Sequence, residues 1–478
     1  MPPPLLSNLS LLSVVRRPLS VVRCPLSVVR RPSSRLSACD HPGNPSTGCT
    51  SAIDRRTRRS LRPEETPVHR PEGSLRVIRM NQWKGASWAV EEKRRPQSSC
   101  KPTRALVASQ LSVSDPLLLD DLSTPAAVVD LDVLERNISR MATRARDAGV
   151  KLRPHAKTHK SPEIGRLQRA AGAWGLSLAK VGEAEVFVGA GFDDVFLAYP
   201  VVGEDKGRRL LALSDRARLA AGVDSLEGAR TLAEPFHAAG RTLEVVLKVD
   251  VGYGRVGVLP GRAVEVARQV AELPGLRLRG VFTHAGHGYL AESRAGVDEI
   301  ARLEGERLVA AAASLREAGL PIDEVSVGST PTAALAMRVK GVTECRPGNY
   351  VFHDASQVAL GTCAVEDCAL TILATVVSVP APERAVVDAG SKTLSSDPLR
   401  PTPGGYGQLL GRASRIEKLS EEHGVVAVAP GEAFRVGERV RILPNHACVV
   451  ANLHDRLIGV SGERVETVLA IEARGRVR

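Results

Sequence analysis

The sequence predicts an α/β fold, namely a (β/α)8 TIM-like barrel followed by a C-terminal all-β domain. Between about residues 126 and 365, strand-like runs alternate regularly with amphipathic stretches. Eight such units in about 200 residues suit a closed parallel barrel better than an open sheet. After about residue 365, short strand-like runs separated by Pro/Gly turns predominate, which indicates an antiparallel β domain.

The predicted barrel strands follow one another with helical runs between them, and glycine closes helices such as SLEGARTLAEPFHAAG. An earlier run, AAVVDLD at residues 126–132, is surplus to the barrel, so we assign it to the β domain. The domains are therefore expected at residues 111–365 and 366–478. The eight barrel runs are KLRPH from Lys151, WGLSLA from Trp174, DVFLAY from Asp194, RLAAGVD from Arg218, EVVLKVD from Glu244, LRGVFTH from Leu278, EVSVGS from Glu324 and TECRPG from Thr343.

Residues 1–110 have a different composition from the rest of the chain. They contain three seven-residue repeats, LSVVRRP, LSVVRCP and LSVVRRP, and 20 Lys or Arg against 7 Asp or Glu. We predict a disordered basic tail, because proline and arginine interrupt every apolar run. Its composition resembles a transit peptide. We favour an upstream repeat translated in frame, with Met80 as an internal start.

The charge distribution excludes several classes of protein. The other 368 residues hold 45 basic and 46 acidic groups, so no basic face for nucleic acid is expected. No apolar run approaches the roughly 18–20 residues of a membrane-spanning helix. Four irregularly spaced cysteines and no secretory signal indicate reduced thiols and a cytoplasmic protein.

The segment RPHAKTHK from Arg153 is the densest cluster of chemically active side chains. Strand alternation places Arg153, His155 and Lys157 on one face at the carboxyl end of the first barrel strand, where barrel enzymes hold their active sites. A lysine among other cations is expected to have a lowered pKa and to act as a neutral amine nucleophile. The alternative is a solvated basic loop.

Two loops after the last two predicted strands have the composition of an anion site. Gly328, Ser329 and Thr330 lie in VGSTPT, where free N–H groups precede a helix, and RPGNY follows the eighth strand. Barrels commonly bind phosphate with these two loops. We therefore predict a phosphorylated cofactor, although Ser/Thr-Pro is also an ordinary helix cap.

Two further motifs contribute candidate residues. In KVDVGYGRVG, glycines allow close backbone approach and Arg255 would reach the barrel mouth, whereas the neighbouring THAGHGY also suits a simple turn. In PNHAC, a strand would point His446 and Cys448 the same way, which suits a zinc-type ion with open positions for water and substrate. The alternative is a buried cysteine with a chance histidine nearby.

The motifs RPHAKTHK, KVDVGYGRVG, VGSTPT with RPGNYVFHD, DAGSKTLSSD, SEEHG and PNHAC together resemble the D-threonine aldolase/D-serine dehydratase family. The resemblance spans about Asp120 to Arg478 and implies an alanine-racemase-like barrel that binds pyridoxal 5'-phosphate. It implies that Lys157 holds the cofactor, that Arg255 contacts the ring oxygen, and that His446 and Cys448 bind a divalent metal, zinc or manganese. The implied phosphate-binding residues are Gly328, Ser329, Thr330, Gly348, Asn349 and Tyr350, and Tyr289 is a candidate for the ring nitrogen.

The resemblance implies a lyase that acts on small D-β-hydroxy-α-amino acids, as a homodimer. A D-threonine aldolase would cleave Cα–Cβ, with His155 or a metal-bound hydroxide as the base. A D-serine dehydratase would release ammonia. The His–Cys metal pair favours the dehydratase, whereas VFLAYPVVGEDK and the ARGRVR ending favour the aldolase, which we place first. A racemase and a non-catalytic cofactor carrier are the remaining alternatives.

Overall fold

The computed structural model describes residues 117–399 and 404–478. The predicted tail at residues 1–110 lies outside them. The strands are β1 (Ala126–Asp130), β2 (Lys151–Leu152), β3 (Leu176–Leu178), β4 (Asp194–Pro200), β5 (Arg218–Val223), β6 (Leu243–Lys248), β7 (Leu276–Phe282), β8 (Glu324–Val327), β9 (Glu344–Cys345), β10 (Leu370–Ala381), β11 (Arg384–Val387), β12 (Gly407–Leu409), β13 (Arg415–Leu419), β14 (Gly424–Ala427), β15 (Arg439–Pro444), β16 (Arg456–Ser461) and β17 (Arg464–Ala470).

The helices alternate with the strands up to β9 and are rarer afterwards. They are α1 (Leu131–Asp147), α2 (Pro162–Ala170), α3 (Val181–Gly189), α4 (Glu204–Leu213), α5 (Leu226–Ala238), α6 (Ala263–Ala271), α7 (Arg294–Glu317), α8 (Ala333–Ala336), α9 (Ala355–Ala359), α10 (Ser391–Leu394) and α11 (Ala447–Leu453). Within the described ranges, none of them is long and apolar enough to cross a membrane.

Strands β2 to β9 form the eight-stranded parallel barrel. Their order is β2-β9-β8-β7-β6-β5-β4-β3, and each predicted run overlaps one of them. The ring closes between the segment after β2 and β3, where Ala156 N donates to Ser177 O at 2.9 Å and Ser177 N to Pro154 O at 2.8 Å. The predicted (β/α)8 barrel is thus confirmed.

Helix α1 illustrates how local sequence sets these elements. Asp130 caps it by accepting a hydrogen bond from Val133 N at 3.0 Å, which satisfies one of the free N–H groups at the helix start. Its buried apolar residues recur at helical spacing. They are Leu134, Ile138, Met141 and Ala145.

The amino end of the barrel is packed with ion pairs. Arg153 Nε donates to Glu344 Oε2 at 2.6 Å, and its guanidinium also pairs with Asp194. Arg279 bridges to Glu324 at 2.9 Å and also contacts Glu244. Buried charges such as these require full pairing, since an unpaired one costs several kcal/mol, about 3–5. The sequence patterns do not reveal this polar layer, so it is a finding of the structure.

An apolar layer lies above the ion pairs inside the barrel. The Phe196 and Phe282 rings meet edge to face, with centroids 5.0 Å apart, and pack with Ala220 and Val246. The Arg346 guanidinium lies 5.2 Å from the Phe282 ring centroid. The aromatic layer therefore separates the ion pairs at the amino end from the residues at the carboxyl end.

The second sheet holds the β domain. Strands β10, β11, β14, β13, β12 and β15 close an antiparallel ring, while β1, β16 and β17 extend the sheet from β10. The strand at residues 126–132 therefore lies in this sheet, with Val128 opposite both Thr371 and Ile458. The region also contains the short helices α10 and α11, so it is not purely β.

The β domain packs over the carboxyl end of the barrel. Lys160 Nζ donates to Asn452 Oδ1 at 2.7 Å, and Ser356 Oγ donates to Asn445 O at 2.7 Å. Ala473 N donates to Lys160 O at 3.1 Å. These contacts bring α11 to the mouth of the barrel.

Candidate active site

Lys157 lies in a turn between β2 and α2. The turn closes through a hydrogen bond from Lys160 N to Ala156 O at 2.8 Å. Burial lowers the pKa of Lys157 from its ordinary value, and the charges of Arg255 and Arg346 lower it further. A larger fraction of this amine is therefore neutral and nucleophilic than for an exposed lysine.

Arg153 does not join this group, although the sequence placed it on one face with His155 and Lys157. Its guanidinium is held at the amino end of the barrel by Glu344 and Asp194. The strand itself ends at Leu152, so alternation does not extend to Lys157. Paired buried carboxylates, which the sequence pattern does not reveal, determine where Arg153 lies.

His155 remains beside Lys157. Burial lowers the pKa of His155 well below its usual range, and Lys157, Arg346 and His284 act in the same direction. Its buried Nδ1 has no hydrogen-bond partner. A neutral imidazole with an unpaired ring nitrogen is suited to exchange a proton with a bound molecule.

Several cationic side chains gather at this end of the barrel. Burial, together with the charges of Arg346 and Arg255, lowers the pKa of Lys248 to about 7. The exposed Arg255 stacks 4.9 Å from the Tyr253 ring centroid. Together with Lys157, these groups provide a strongly positive environment for an anionic ligand.

The loop after β8 carries Gly328, Ser329 and Thr330. Gly328 has φ +130°, and a Cβ there would lie 2.7 Å from Arg346 N, so the close approach requires glycine. Its N–H donates to Glu304 Oε1 at 3.0 Å. Ser329 Oγ lies 2.9 Å from Thr332 Oγ1, and Thr330 Oγ1 accepts from Tyr350 N at 3.1 Å.

The loop after β9 meets this first loop. Gly348 packs so closely against the Lys157 turn that a Cβ would lie 2.7 Å from Thr158 Oγ1. Asn349 Nδ2 donates to Asp354 Oδ2 at 2.5 Å. The buried Tyr350 hydroxyl accepts from Gln168 Nε2 at 3.1 Å, so the Tyr350 ring belongs to the core.

Tyr289 lies beside the loop after β8. Its hydroxyl forms a hydrogen bond with Thr330, and burial raises its pKa above the usual range. The phenol therefore stays protonated. A role at the ring nitrogen of a cofactor stays a prediction for this residue.

The PNHAC motif does not form a strand. Strand β15 ends at Pro444, His446 caps α11, and Cys448 lies in its first turn. The prediction that strand alternation aligns His446 and Cys448 is therefore wrong. The helix forms because Ala447, Val450 and Ala451 are buried at helical spacing, which outweighs the β preference of the valines.

The helix start nevertheless brings the two side chains together. His446 and Cys448 are hydrogen bonded, and His446 Nδ1 donates to Asp397 Oδ2 at 2.6 Å. Cys448 Sγ lies 3.3 Å from Thr158 Oγ1, next to Lys157. Burial lowers the pKa of His446, but Cys448 and Asp397 raise it to about 10 overall.

The donor set fits a divalent ion with open coordination positions. An Asp carboxylate on Nδ1 leaves Nε2 as the ligand atom of His446, an arrangement common at zinc sites. Thiolate and imidazole suit zinc best among common ions. Within residues 117–399 and 404–478, no group of three or more His, Cys, Asp or Glu side chains has the geometry of a closed metal site.

Two functional candidates were not found from the sequence. Glu304 is buried on α7, accepts from Ala285 N at 3.2 Å and Gly328 N at 3.0 Å, and also accepts from Thr332 Oγ1 at 2.6 Å. Asp354 accepts from Ala447 N at 2.9 Å as well as from Asn349. The position of Glu304 on the apolar stripe of α7 is the signal that could have revealed it.

These residues fit a phosphorylated aldehyde cofactor. Lys157 supplies the amine, and cationic side chains surround the site. The loops after β8 and β9 form a concave surface whose backbone approaches its neighbours so closely at Gly328 and Gly348 that no side chain would fit there. An alanine-racemase-like barrel with this lysine and these loops defines a pyridoxal-phosphate enzyme, and the facing His–Cys pair separates it from a simple racemase.

Comparisons with known proteins agree. Residues 129–356 match the family described as alanine racemase, N-terminal domain, and residues 369–460 match a putative serine dehydratase domain. The chain belongs to the D-threonine aldolase/D-serine dehydratase family, which is pyridoxal-phosphate dependent, and it is a lyase.

Three similar proteins illustrate the relationship. The D-threo-3-hydroxyaspartate dehydratase of Delftia sp. is 40% identical over 68% of this chain and 91% of its own. The D-threonine aldolase of Arthrobacter sp. is 36% identical over 76% and 94%. The crystal structure of D-threonine aldolase from Filomicrobium marinum, at 35% identity, matches 76% of this chain and 99% of its own with a TM-score of 0.71.

Proposed function

We propose that the protein is a pyridoxal-phosphate- and divalent-metal-dependent lyase that cleaves D-β-hydroxy-α-amino acids into glycine and an aldehyde, as D-threonine aldolase does. One observation carries the proposal. Cys448 lies against Thr158, the residue next to Lys157, so the candidate metal ligands and the amine nucleophile face the same opening at the carboxyl end of the barrel. A substrate amine held near Lys157 would present its β-hydroxyl to His446 and Cys448.

Each candidate site residue would have a separate role in this reaction. Pyridoxal phosphate, when bound, supplies an aldehyde for amines and an electron sink at Cα. Ser329, Thr330 and Gly348 would hold its phosphate. The neutral Nζ of Lys157 would bind its aldehyde. His155 Nδ1, which has no partner, would take the hydroxyl proton as Cα–Cβ breaks.

A divalent ion on His446 and Cys448 would supply Lewis acidity, which lowers the barrier by several kcal/mol in typical sites. A relative supports this role. In solved structures of a D-threo-3-hydroxyaspartate dehydratase that is 38% identical to this chain, a His and a Cys two positions apart have each been replaced by alanine, and the Cys variant is described in a metal-free form. The spacing equals that of His446 and Cys448. We propose zinc, or manganese, as the ion.

A dehydratase is the second candidate, because the His–Cys pair suits that branch and a dehydratase is 40% identical to this chain. In that reaction Lys157 Nζ would remove the Cα proton and the hydroxide would leave, giving a 2-oxo acid and ammonia. The two reactions use the same residues of this chain but give different products.

Product analysis tests the proposal. We expect purified enzyme with D-threonine to yield glycine and acetaldehyde, and Lys157→Ala to abolish the reaction, since the other amine of that turn, Lys160 Nζ, is held by Asn452 and Glu183. Reductive trapping of bound cofactor should modify Lys157 only. Lys151→Ala, at the other end of β2, is the matched control and should keep full activity.

Other products would change the assignment. Pyruvate and ammonia from D-serine, with no glycine from D-threonine, would establish the dehydratase. Mixed D and L isomers without cleavage would establish a racemase. A trapped adduct on a lysine other than Lys157 would refute the active-site assignment.

We also propose that the enzyme works as a homodimer in the cytoplasm. Exposed large apolar side chains support an interface, among them Leu259, 64% exposed, and Val436, 67% exposed. The cysteines of the described residues are all free, in line with a reducing compartment.

A further inference from the structure

Two cysteines outside the active site lie in the segment that joins α9 to β10. The Cys368 thiol donates to Ala364 O at 3.8 Å, which places it beside Cys363, and the His353 ring also neighbours Cys363. Both cysteines are half-buried and neither is in a disulfide. The proposed lyase reaction uses none of these three groups.

The segment between them is folded back tightly. Asp367 N donates to Ala364 O at 3.1 Å and Cys368 N donates to Val365 O at 3.0 Å, which forms a 3-10 turn. Asp367 is in turn held by Arg140 at 3.0 Å. The turn folds Cys368 back onto the backbone of Ala364, the residue that follows Cys363.

The two thiols differ in acidity. The neighbouring Cys368 thiol lowers the pKa of Cys363, and His353 acts in the same direction, so that the pKa is about 6 although burial opposes this. The neighbouring Cys363 and burial raise the pKa of Cys368 above its usual range. At neutral pH Cys363 is therefore mainly thiolate, the reactive form, while Cys368 keeps its proton.

Two other cysteines show what this arrangement adds. Burial raises the pKa of Cys345, which is fully buried, so it stays an unreactive thiol. Cys448 contacts Thr158 and His446 and belongs to the active site. Among the described residues, the pair at 363 and 368 alone combines a thiolate, a neighbouring thiol and solvent access.

We propose that Cys363 and Cys368 form a peroxide-reactive dithiol site that closes to an intramolecular disulfide. The Cys363 thiolate attacks one oxygen of hydrogen peroxide, the O–O bond breaks, and the leaving hydroxide takes up a proton to give water and a sulfenic acid. The Cys368 sulfur then attacks the sulfenic sulfur. The S–O bond breaks and the hydroxide leaves with the Cys368 proton as a second water. Two thiols lose two electrons in total, and the peroxide gains them.

The test uses the full-length protein, reduced and freed of reductant, with a small excess of hydrogen peroxide. We expect the peptide that contains both cysteines to lose the mass of two hydrogen atoms, and dithiothreitol to restore it. Because residues 1–110 carry four further cysteines, peptide mapping under non-reducing conditions assigns the bond.

Two variants separate the steps. Cys368→Ser removes the resolving thiol, so we expect a sulfenic acid at Cys363 that dimedone traps at least ten-fold more than in the unaltered protein. Cys363→Ser should leave Cys368 unoxidised at the same peroxide dose. Cys448→Ser is the matched control and should form the 363–368 disulfide at the unaltered rate.

A disulfide that maps to a different pair, or sulfinic acid at Cys363 without a disulfide, would overturn the proposal. So would equal dimedone labelling of the unaltered protein and Cys368→Ser. The readout is thiol chemistry on a folded chain, so lyase activity and its failure do not affect the result.

Discussion

At the scale of single residues, Glu304 holds the loops after β7 and β8 in place through hydrogen bonds and is not a candidate for acting on substrate. Its two carboxylate oxygens accept from the chain after β7, from the chain after β8 and from Thr332. The Gly328 N–H is consequently taken by Glu304. In the proposed site, phosphate binding would therefore fall to Ser329, Thr330 and Gly348 and not to the Gly328 N–H.

Replacing Glu304 should weaken cofactor binding. In Glu304→Gln the amide nitrogen can only donate, so at least one of the three accepted hydrogen bonds is lost. A bond to a charged group contributes about 1.5–3 kcal/mol, so we expect the pyridoxal-phosphate dissociation constant to rise about ten-fold or more. Absorbance titration of the apoenzyme measures it. Glu299→Gln, exposed on the same helix, is the control, and an equal shift there would refute the role.

The metal pair gives a second prediction at this scale. His446→Ala or Cys448→Ala should remove lyase activity and leave cofactor absorbance unchanged, because in the proposed site the barrel would hold the cofactor and the start of α11 would hold the ion. Chelator should act likewise, reversibly. Cys448→Asp should keep partial activity and shift the preference from zinc toward manganese, since a carboxylate replaces a thiolate.

The exposed His423→Ala provides the matched control for these variants and should behave as the unaltered enzyme. Metal contents measured by mass spectrometry should fall in step with activity. Full cleavage rates from metal-free enzyme would return His446 and Cys448 to the status of ordinary structural residues.

At the scale of elements, the contact between the loop after β9 and the Lys157 turn sets the geometry of the mouth. Gly348→Ala would place a Cβ 2.7 Å from Thr158 Oγ1 and 2.9 Å from the His155 carbonyl oxygen. Overpacking of this kind costs about 1–3 kcal/mol. We expect a lower melting temperature and weaker cofactor binding, measured by calorimetry and titration.

Gly261→Ala is the comparison, because its added Cβ meets no atom within 4 Å and its φ is not positive. It should leave both quantities unchanged. If Gly348→Ala binds cofactor as tightly as Gly261→Ala does, the turn and the loop are not coupled as the distances suggest.

The sequence predicted the elements better than it predicted their side-chain partners. All eight barrel strands and helices such as α5 follow periodicity and glycine stops, which are local signals. The α11 segment misled because CVVANL favours a strand by composition, whereas its buried positions are helical. Arg153 could not be placed because Glu344 lies 191 residues away along the chain.

The candidate site shows the same division. Motif spacing pointed to Lys157 and the two glycine loops as candidate site residues, because the backbone conformation that each requires is set by residues nearby in the sequence. The carboxylates Glu304, Asp354 and Asp397 went unrecognised, because an acidic residue acquires its role only from partners that the fold brings close. For this chain, the sequence therefore predicts the nucleophile and the ligand-binding loops more readily than the carboxylates that orient them.

At the scale of the whole molecule, the described fold begins close to its first strand. Leu119 N donates to Glu463 O at 2.8 Å, and Leu117 O accepts from Val465 N at 2.8 Å. A chain that begins at Ser112 keeps these contacts. We expect it to retain full activity and a melting temperature within about 2 °C, since surface changes away from such contacts cost at most about 0.5 kcal/mol.

A chain that begins at Leu131 is the informative counterpart. It lacks β1, which lies between β10 and β16, so each of these strands loses one of its partners and the β16–β17 hairpin is cut off from the rest of the sheet. We expect it to be insoluble or unfolded by circular dichroism. Loss of folding in the Ser112 chain as well would show that residues 1–111 contribute structure.

The position of β1 also bears on how the protein is made. Val128 pairs with Ile458, which leaves the ribosome 330 residues later. At about 5–20 residues per second, the first strand waits roughly 15–65 s for that neighbour. During synthesis the barrel strands find partners in order, whereas β1 remains an open edge that other chains could pair with. Closely spaced ribosomes, or slow codons near the 3' end of the message, would therefore lower the amount of folded enzyme produced without changing the stability of the folded enzyme.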